Sequence, residues 1–154
     1  RKNGWLRGLK SCGIKVPLNY EEMTELTFDG GKEAMQRLLE AEVPPSAVCC
    51  ISDVVAIGAM QALREKGIRP GQEVSIIGYD GLELGAWLDP PLTTMHQPLK
   101  LAGEKLAQML LNIVESGSLP LNNQELVRAS LVRRETANAP LSTWPPIRKD
   151  SGKP

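Results

Sequence analysis

Two aspartates frame the chemistry this chain can do. Asp53 follows the short apolar run Ala47-Val48-Cys49-Cys50-Ile51, and Asp80 closes the run Val74-Ser75-Ile76-Ile77-Gly78-Tyr79. Short carboxylates placed just beyond the ends of two neighbouring strands suit a neutral, polyhydroxylated ligand, because each can accept from two adjacent hydroxyls. Each residue also has a plainer explanation. Asp53, or Ser52 before it, is a residue type that caps helices, and Asp80 is a turn residue. The occurrence of both at equivalent places points to binding.

The other reactive side chains argue against catalysis. His96 is the only histidine and lies in a β-rich run without an acid partner, so it reads as a packing or hinge residue. No cysteine has a base near it in sequence, no glycine-rich phosphate loop follows a strand, and no cluster has metal-ligand spacing. An enzyme is therefore not expected, and neither a cofactor nor a metal is called for. Cys12, Cys49 and Cys50 form neither a disulfide framework nor a zinc pattern. They read as buried small hydrophobes of a reducing compartment, which favours the cytoplasm.

The elements that must carry the two aspartates follow from periodicity. The run 47–51, bounded by Pro44-Pro45-Ser46 and Ser52-Asp53, has the pattern of a strand buried on both faces. Val55, Ala59, Ala62 and Leu63 then repeat at helical spacing, Arg64-Glu65-Lys66 crowd the last turn, and Gly67 stops a helix spanning 54–66. The run 74–79 is the next strand. Two strands joined by a helix lie parallel, so Asp53 and Asp80 emerge at the same end of the sheet, where open parallel sheets bind their ligands.

Around this unit the chain alternates helices and strands. Trp5, Leu6 and Leu9 mark a helix ended by Gly13; residues 21–28 alternate like a strand; Met35, Leu38 and Leu39 mark a helix over 32–41 with Asp29 as its cap. A short helix is expected over 82–88, stopped by Asp89-Pro90-Pro91, then a strand over 92–97. Leu99, Ala102, Leu106, Met109, Leu110 and Ile113 trace the longest amphipathic helix, 99–116, closed by Gly117, and a last strand falls within 124–134. The four prolines after Glu135 predict an irregular tail. The expected class is α/β, a parallel sheet with helices on both faces.

Composition fits an ordinary globular protein. Across 154 residues, 42% are hydrophobic and 23% charged, and eighteen basic residues balance eighteen acidic ones. A chain without net charge has no overall pull on nucleic acid or anionic membrane, so any DNA binding belongs to another segment. No apolar run approaches a bilayer span.

Pro45-Ser46-Ala47-Val48, Ser52-Asp53, Ala56-Ile57-Gly58-Ala59-Met60, Gly67-Ile68-Arg69, Gly78-Tyr79-Asp80 and Asp89-Pro90-Pro91-Leu92-Thr93-Thr94 together resemble the effector-binding domain of the lactose/galactose repressor family over about residues 1–140. Arg1-Lys2-Asn3-Gly4-Trp5 is similar to the lactose-repressor branch in particular. The resemblance implies an incomplete periplasmic-binding-protein-like fold of type I, in which two α/β subdomains hold a sugar or other small effector between them. It implies that Arg1 and Asp80 contact effector, that Ser52 and Asp53 lie at another contact, and that Gln97 sits by the hinge crossing. Many sugar-responsive members have asparagine where this chain has Ser52, which leaves the effector open. A stacking aromatic is expected near Leu26 or Phe28.

The same resemblance implies a division: 1–95 in the C-terminal subdomain, 96–125 in the N-terminal one, 126–135 returning, and 136–154 as tail. It implies that operator DNA is bound only by a headpiece absent from this chain. Val54, Ile57, Gly58 and Met60 lie beyond the sheet-facing stripe of the central helix; the resemblance implies that such helices pair in a homodimer, while burial of that face within the monomer is an equally open reading. The proline-rich stretch Pro140–Pro146 cannot continue into a tetramerising helix. The competing reading is a secreted periplasmic sugar-binding protein of the same fold.

Overall fold

The computed structural model describes residues 1–15, 20–119 and 123–138. Four helices and four strands follow one another: α1 Lys2–Ser11, α2 Phe28–Leu39, β1 Ala47–Cys49, α3 Asp53–Glu65, β2 Ser75–Asp80, β3 Thr93–His96, α4 Leu99–Ser116 and β4 Ser130–Val132, with a 3-10 turn Glu83–Ala86 between β2 and β3. The sheet runs in the order β1-β2-β3-β4. β1, β2 and β3 are parallel, with Val48 opposite Ile76 and Gly78 opposite Thr94. β4 pairs antiparallel with β3, so the sheet is mixed at that edge.

Helix α3 forms as the periodicity predicts. Ser52 caps it, its hydroxyl accepting from the Val55 amide at 3.2 Å, and Ala56, Ala59, Met60, Ala62 and Leu63 are all at most 2% exposed. These side chains meet Val74, Ile76 and Leu92 of the sheet layer in one apolar core. Helix α2 lies against α3 and adds Met35 and Leu38 to that core. The close approach depends on glycine at the crossing. A Cβ at Gly58 would stand 1.9 Å from the Phe28 carbonyl oxygen, and one at Gly31 2.2 Å from that of Val55.

This crossing corrects part of the expected dimer surface. Gly58 and Met60 are buried within the monomer, Met60 at 0% exposure, because α2 covers that side of α3. Val54 and Ile57 are half-buried.

Several other expectations are also revised. Residues 21–27 form no strand, and α2 begins at Phe28 rather than Lys32, capped by Thr27, whose hydroxyl accepts from the Gly30 amide at 2.9 Å. The cap comes ahead of Asp29, which lies in the first turn. β1 is an edge strand with Ala47 and Cys49 exposed, so it is not buried on both faces. Among the described residues α3 and α2 shield the Ile76 face, while on the other face Ile77, Tyr79 and Met95 are half-buried and α1 buries none of its own residues.

The residues after β4 are irregular yet firmly attached. The Thr136 hydroxyl accepts from the Thr93 amide at 2.8 Å and donates to the Ile76 carbonyl at 2.8 Å, while the Ile76 amide donates to the Thr136 carbonyl at 2.7 Å. Thr136 is 0% exposed. The rest of the expected tail, 139–154, including the Pro140–Pro146 stretch, lies outside the described residues.

Helix α4 matches its expected span to the residue and ends in Gly117 at φ +66°. It buries none of its residues; Leu99, Leu106, Leu110 and Val114 are all more than half exposed. Among the described residues no helix is long and apolar enough to cross a membrane.

Candidate functional site

β2 and β3 end together, with Asp80 opposite His96 in register. The chain continues from His96 into Gln97, which folds back over the end of β2. The Gln97 side chain donates from Nε2 to Asp80 Oδ1 at 2.7 Å, and its amide donates to the Asp80 carbonyl at 3.2 Å. Arg1 arrives from the N-terminal side. Its guanidinium lies 3.9 Å over the Tyr79 ring centre, stands 3.7 Å from Asp80 Oδ1 through Nη2, and donates through Nη1 to the Ile51 carbonyl. Stacking on an aromatic face fixes the plane of the guanidinium fork.

The result is one half-exposed polar cluster at the carboxyl ends of β2 and β3. The side chains of Arg1 and Asp80 are 43% and 28% exposed. An ion pair this open contributes at most about 1 kcal/mol to folding, so its placement matters more than its strength. Two of the donors, on Arg1 and Gln97, and one acceptor, Asp80, converge where a ligand with several hydroxyls can exchange partners with them. Tyr79 is the member that sequence reasoning missed. Its position directly before Asp80, next to a predicted strand end, was the available signal.

Asp53 and Ser52 sit elsewhere. Asp53 is 0% exposed, and its oxygens face inward: Oδ2 accepts from the amides of Gly81 at 2.9 Å and Leu82 at 2.6 Å, and Oδ1 accepts from the Thr94 hydroxyl at 2.6 Å. Ser52 is 7% exposed and occupied as the α3 cap. Both do reach the same rim as Asp80, as parallel pairing requires. Both are turned inward, Asp53 to two backbone amides and the Thr94 hydroxyl and Ser52 to the Val55 amide, whereas Asp80 on the same rim is half-exposed.

The remaining candidates are spread out. His96 is exposed, with its ring over Gly81, where a Cβ would come 2.4 Å from Nδ1. Leu26 and Phe28 are 64% and 49% exposed at the start of α2. Of the three cysteines expected to be buried, Cys12 and Cys49 are exposed; Cys50 is half-buried, and burial pushes its thiol up to about 12. No three residues among His, Cys, Asp and Glu are grouped to hold a metal among the described residues. A cavity of about 530 Å³ opens at the opposite end of the sheet, lined by Arg64, Arg69, Gln72, Asp89 and Asn138 among others, and touches none of the five expected site residues.

Comparison with known proteins agrees with this architecture. Residues 1–137 match the family described as periplasmic binding protein-like domain. The HTH-type transcriptional repressor CytR of Escherichia coli K12 is 37% identical over 135 residues, covering 84% of this chain and 40% of the relative. The ribose operon repressor of the same strain is 34% identical over 126 residues, covering 82% of this chain and 38% of the relative. A regulatory protein of the LacI family from Chloroflexus aggregans superposes with a TM-score of 0.82 at 34% identity, over 90% of this chain and 50% of that one. The lac repressor dimer bound to operator and the anti-inducer ONPF superposes at 0.80 and 34% identity, over 90% of this chain and 47% of that one.

The fold and the strand-end cluster thus define an α/β domain of the periplasmic-binding type. The chain belongs to the periplasmic binding protein-like domain family, in the form found in LacI/GalR transcriptional repressors. It spans about 40% of the length of the curated relatives described above.

Proposed function

We propose that this chain is the effector-binding portion of a cytoplasmic LacI-type transcriptional repressor, in which a small sugar-like molecule docks on Arg1, Asp80 and Gln97 and thereby controls operator binding by a separate headpiece. The observation that carries the reading is the convergence of those three side chains at the carboxyl ends of β2 and β3. A carboxylate, an amide and an aromatic-backed guanidinium are the donor and acceptor set that vicinal hydroxyls require. No catalytic step is assigned to any of them.

The coupling follows from where Gln97 stands. It is the link between β3 and α4, and we assign α4 to a second subdomain, so a ligand bridging Gln97 and Asp80 reads the angle between the two. Effector binding favours one angle over the other, and the difference in affinity sets the size of the response. The protein pairs as a homodimer in this reading, and two headpieces held by the pair contact operator. The alternative, a secreted sugar-binding protein of the same fold, is disfavoured because the curated relatives are named as repressors.

A thermal-shift screen of monosaccharides on the full-length protein, led by D-ribose because one relative is a ribose operon repressor, tests the site. A ligand that binds the folded state raises Tm. The expected result is a concentration-dependent rise for at least one sugar that disappears in Asp80→Ala. A rise that persists in Asp80→Ala places the effector elsewhere. Operator binding by Asp80→Ala should match the unaltered protein, with release by effector lost.

A further inference from the structure

Asp80 has a φ of +135°, the one positive value at a non-glycine residue among those described. Side chains rarely adopt that conformation, and it persists only where the surroundings over-determine it. The surroundings are explicit here. The two amides that follow Asp80, those of Gly81 and Leu82, both donate to the same oxygen, Oδ2 of Asp53. Its other oxygen is held by the Thr94 hydroxyl, which also accepts from the Gly81 amide at 3.3 Å.

Asp53 thus grips the chain immediately after the strained residue at two adjacent points. It has no ion pair among the described residues, and nothing but these three donors satisfies it. β2 leaves room for it: a Cβ at Gly78 would stand 2.1 Å from Asp53 Oδ1. Asp53 in turn sits in the first turn of α3, whose capped N-terminus anchors it to the apolar core.

We propose that Asp53 is a positioning residue that acts through Asp80: by clamping the Gly81 and Leu82 amides it holds Asp80 in its left-handed conformation, so that the Asp80 carboxylate faces Gln97 and Arg1. The pair of aspartates then works in series, one buried and gripping backbone, one half-exposed and offered to the ligand. This rests on the reading of Asp80 as an effector contact, and the test below separates the two.

The test uses Asp53→Asn in the full-length protein. A carboxamide has one acceptor oxygen where three donors now converge, so the clamp loosens with little change of volume. Two readouts are taken. The first needs no ligand: the HN–Hα coupling of Asp80, small at a φ near +135°, should rise to the large value of ordinary extended backbone in the variant. The second is a double-mutant cycle on D-ribose affinity with Asp80→Asn. Asp53→Asn should weaken binding by about tenfold in the native background, yet by less than about twofold when Asp80 is already altered, because coupled residues are non-additive.

An unchanged coupling in Asp53→Asn overturns the proposal, as does an equal loss of affinity in both backgrounds. If the native protein takes no D-ribose, the effector reading fails at that sugar and the coupling alone decides the role of Asp53. Should Asp53→Asn not fold, Thr94→Val removes one donor while keeping Asp53, and the same change in the Asp80 coupling is expected in weaker form.

Discussion

Helices α3 and α4 both carry an apolar stripe but live in opposite circumstances. α3 has eight buried residues out of thirteen, and α4 has none out of eighteen. Their periodicity is a local property, set by which side chains fall on one side of a cylinder, and it announces a need for a partner without naming one. For α3 the partners are the sheet beneath and α2 across the glycine crossing. For α4 the described residues supply Glu125, whose carboxylate meets Lys105 at 2.6 Å, and little apolar cover.

The contrast can be broken or sharpened by substitution. Met60→Ala, in the centre of the α3 core at 0% exposure, should cost about 2–5 kcal/mol by leaving a cavity. Gly58→Ala should cost about 1–3 kcal/mol, because the added carbon meets the Phe28 backbone and α2 must shift. Ser52→Ala, which strips the α3 cap, should cost about 1 kcal/mol. Leu106→Ala, at 67% exposure on α4, should stay within about 0.5 kcal/mol. All four are read by urea unfolding of the protein comprising these 154 residues. A loss at Leu106 comparable to that at Met60 would mean that α4 packs against something in solution and would erase the contrast. A thiol probe adds a finer comparison. Cys12 is exposed whereas burial raises the Cys50 thiol to about 12, so iodoacetamide at pH 8 should modify Cys12 first.

How much was legible in the residues follows the same line. The strand–helix–strand unit around α3 was readable, because a capping serine, an apolar stripe and a terminal glycine all agree. So were the bounds of α4 and the meeting of Arg1, Asp80 and Gln97, the last through family resemblance. What escaped was everything that depends on which groups meet across the chain. In the sequence Asp53 and Asp80 are the same residue type and each comes soon after an apolar run, and nothing in that pattern distinguishes a carboxylate that turns inward to three donors from one that turns outward. Gly58 looked like part of an exposed apolar face, since a missing side chain does not say that another backbone will occupy its place. Thr27 displaced Asp29 as the α2 cap because the two stand two residues apart and either can serve.

Thr136 has a bearing on how the protein is made. It links Ile76 to Thr93 from a point sixty residues later in sequence than Ile76. A growing polypeptide can pair these two strands with each other first, but the bridge that Thr136 adds between them forms only after the chain has extended sixty residues beyond Ile76.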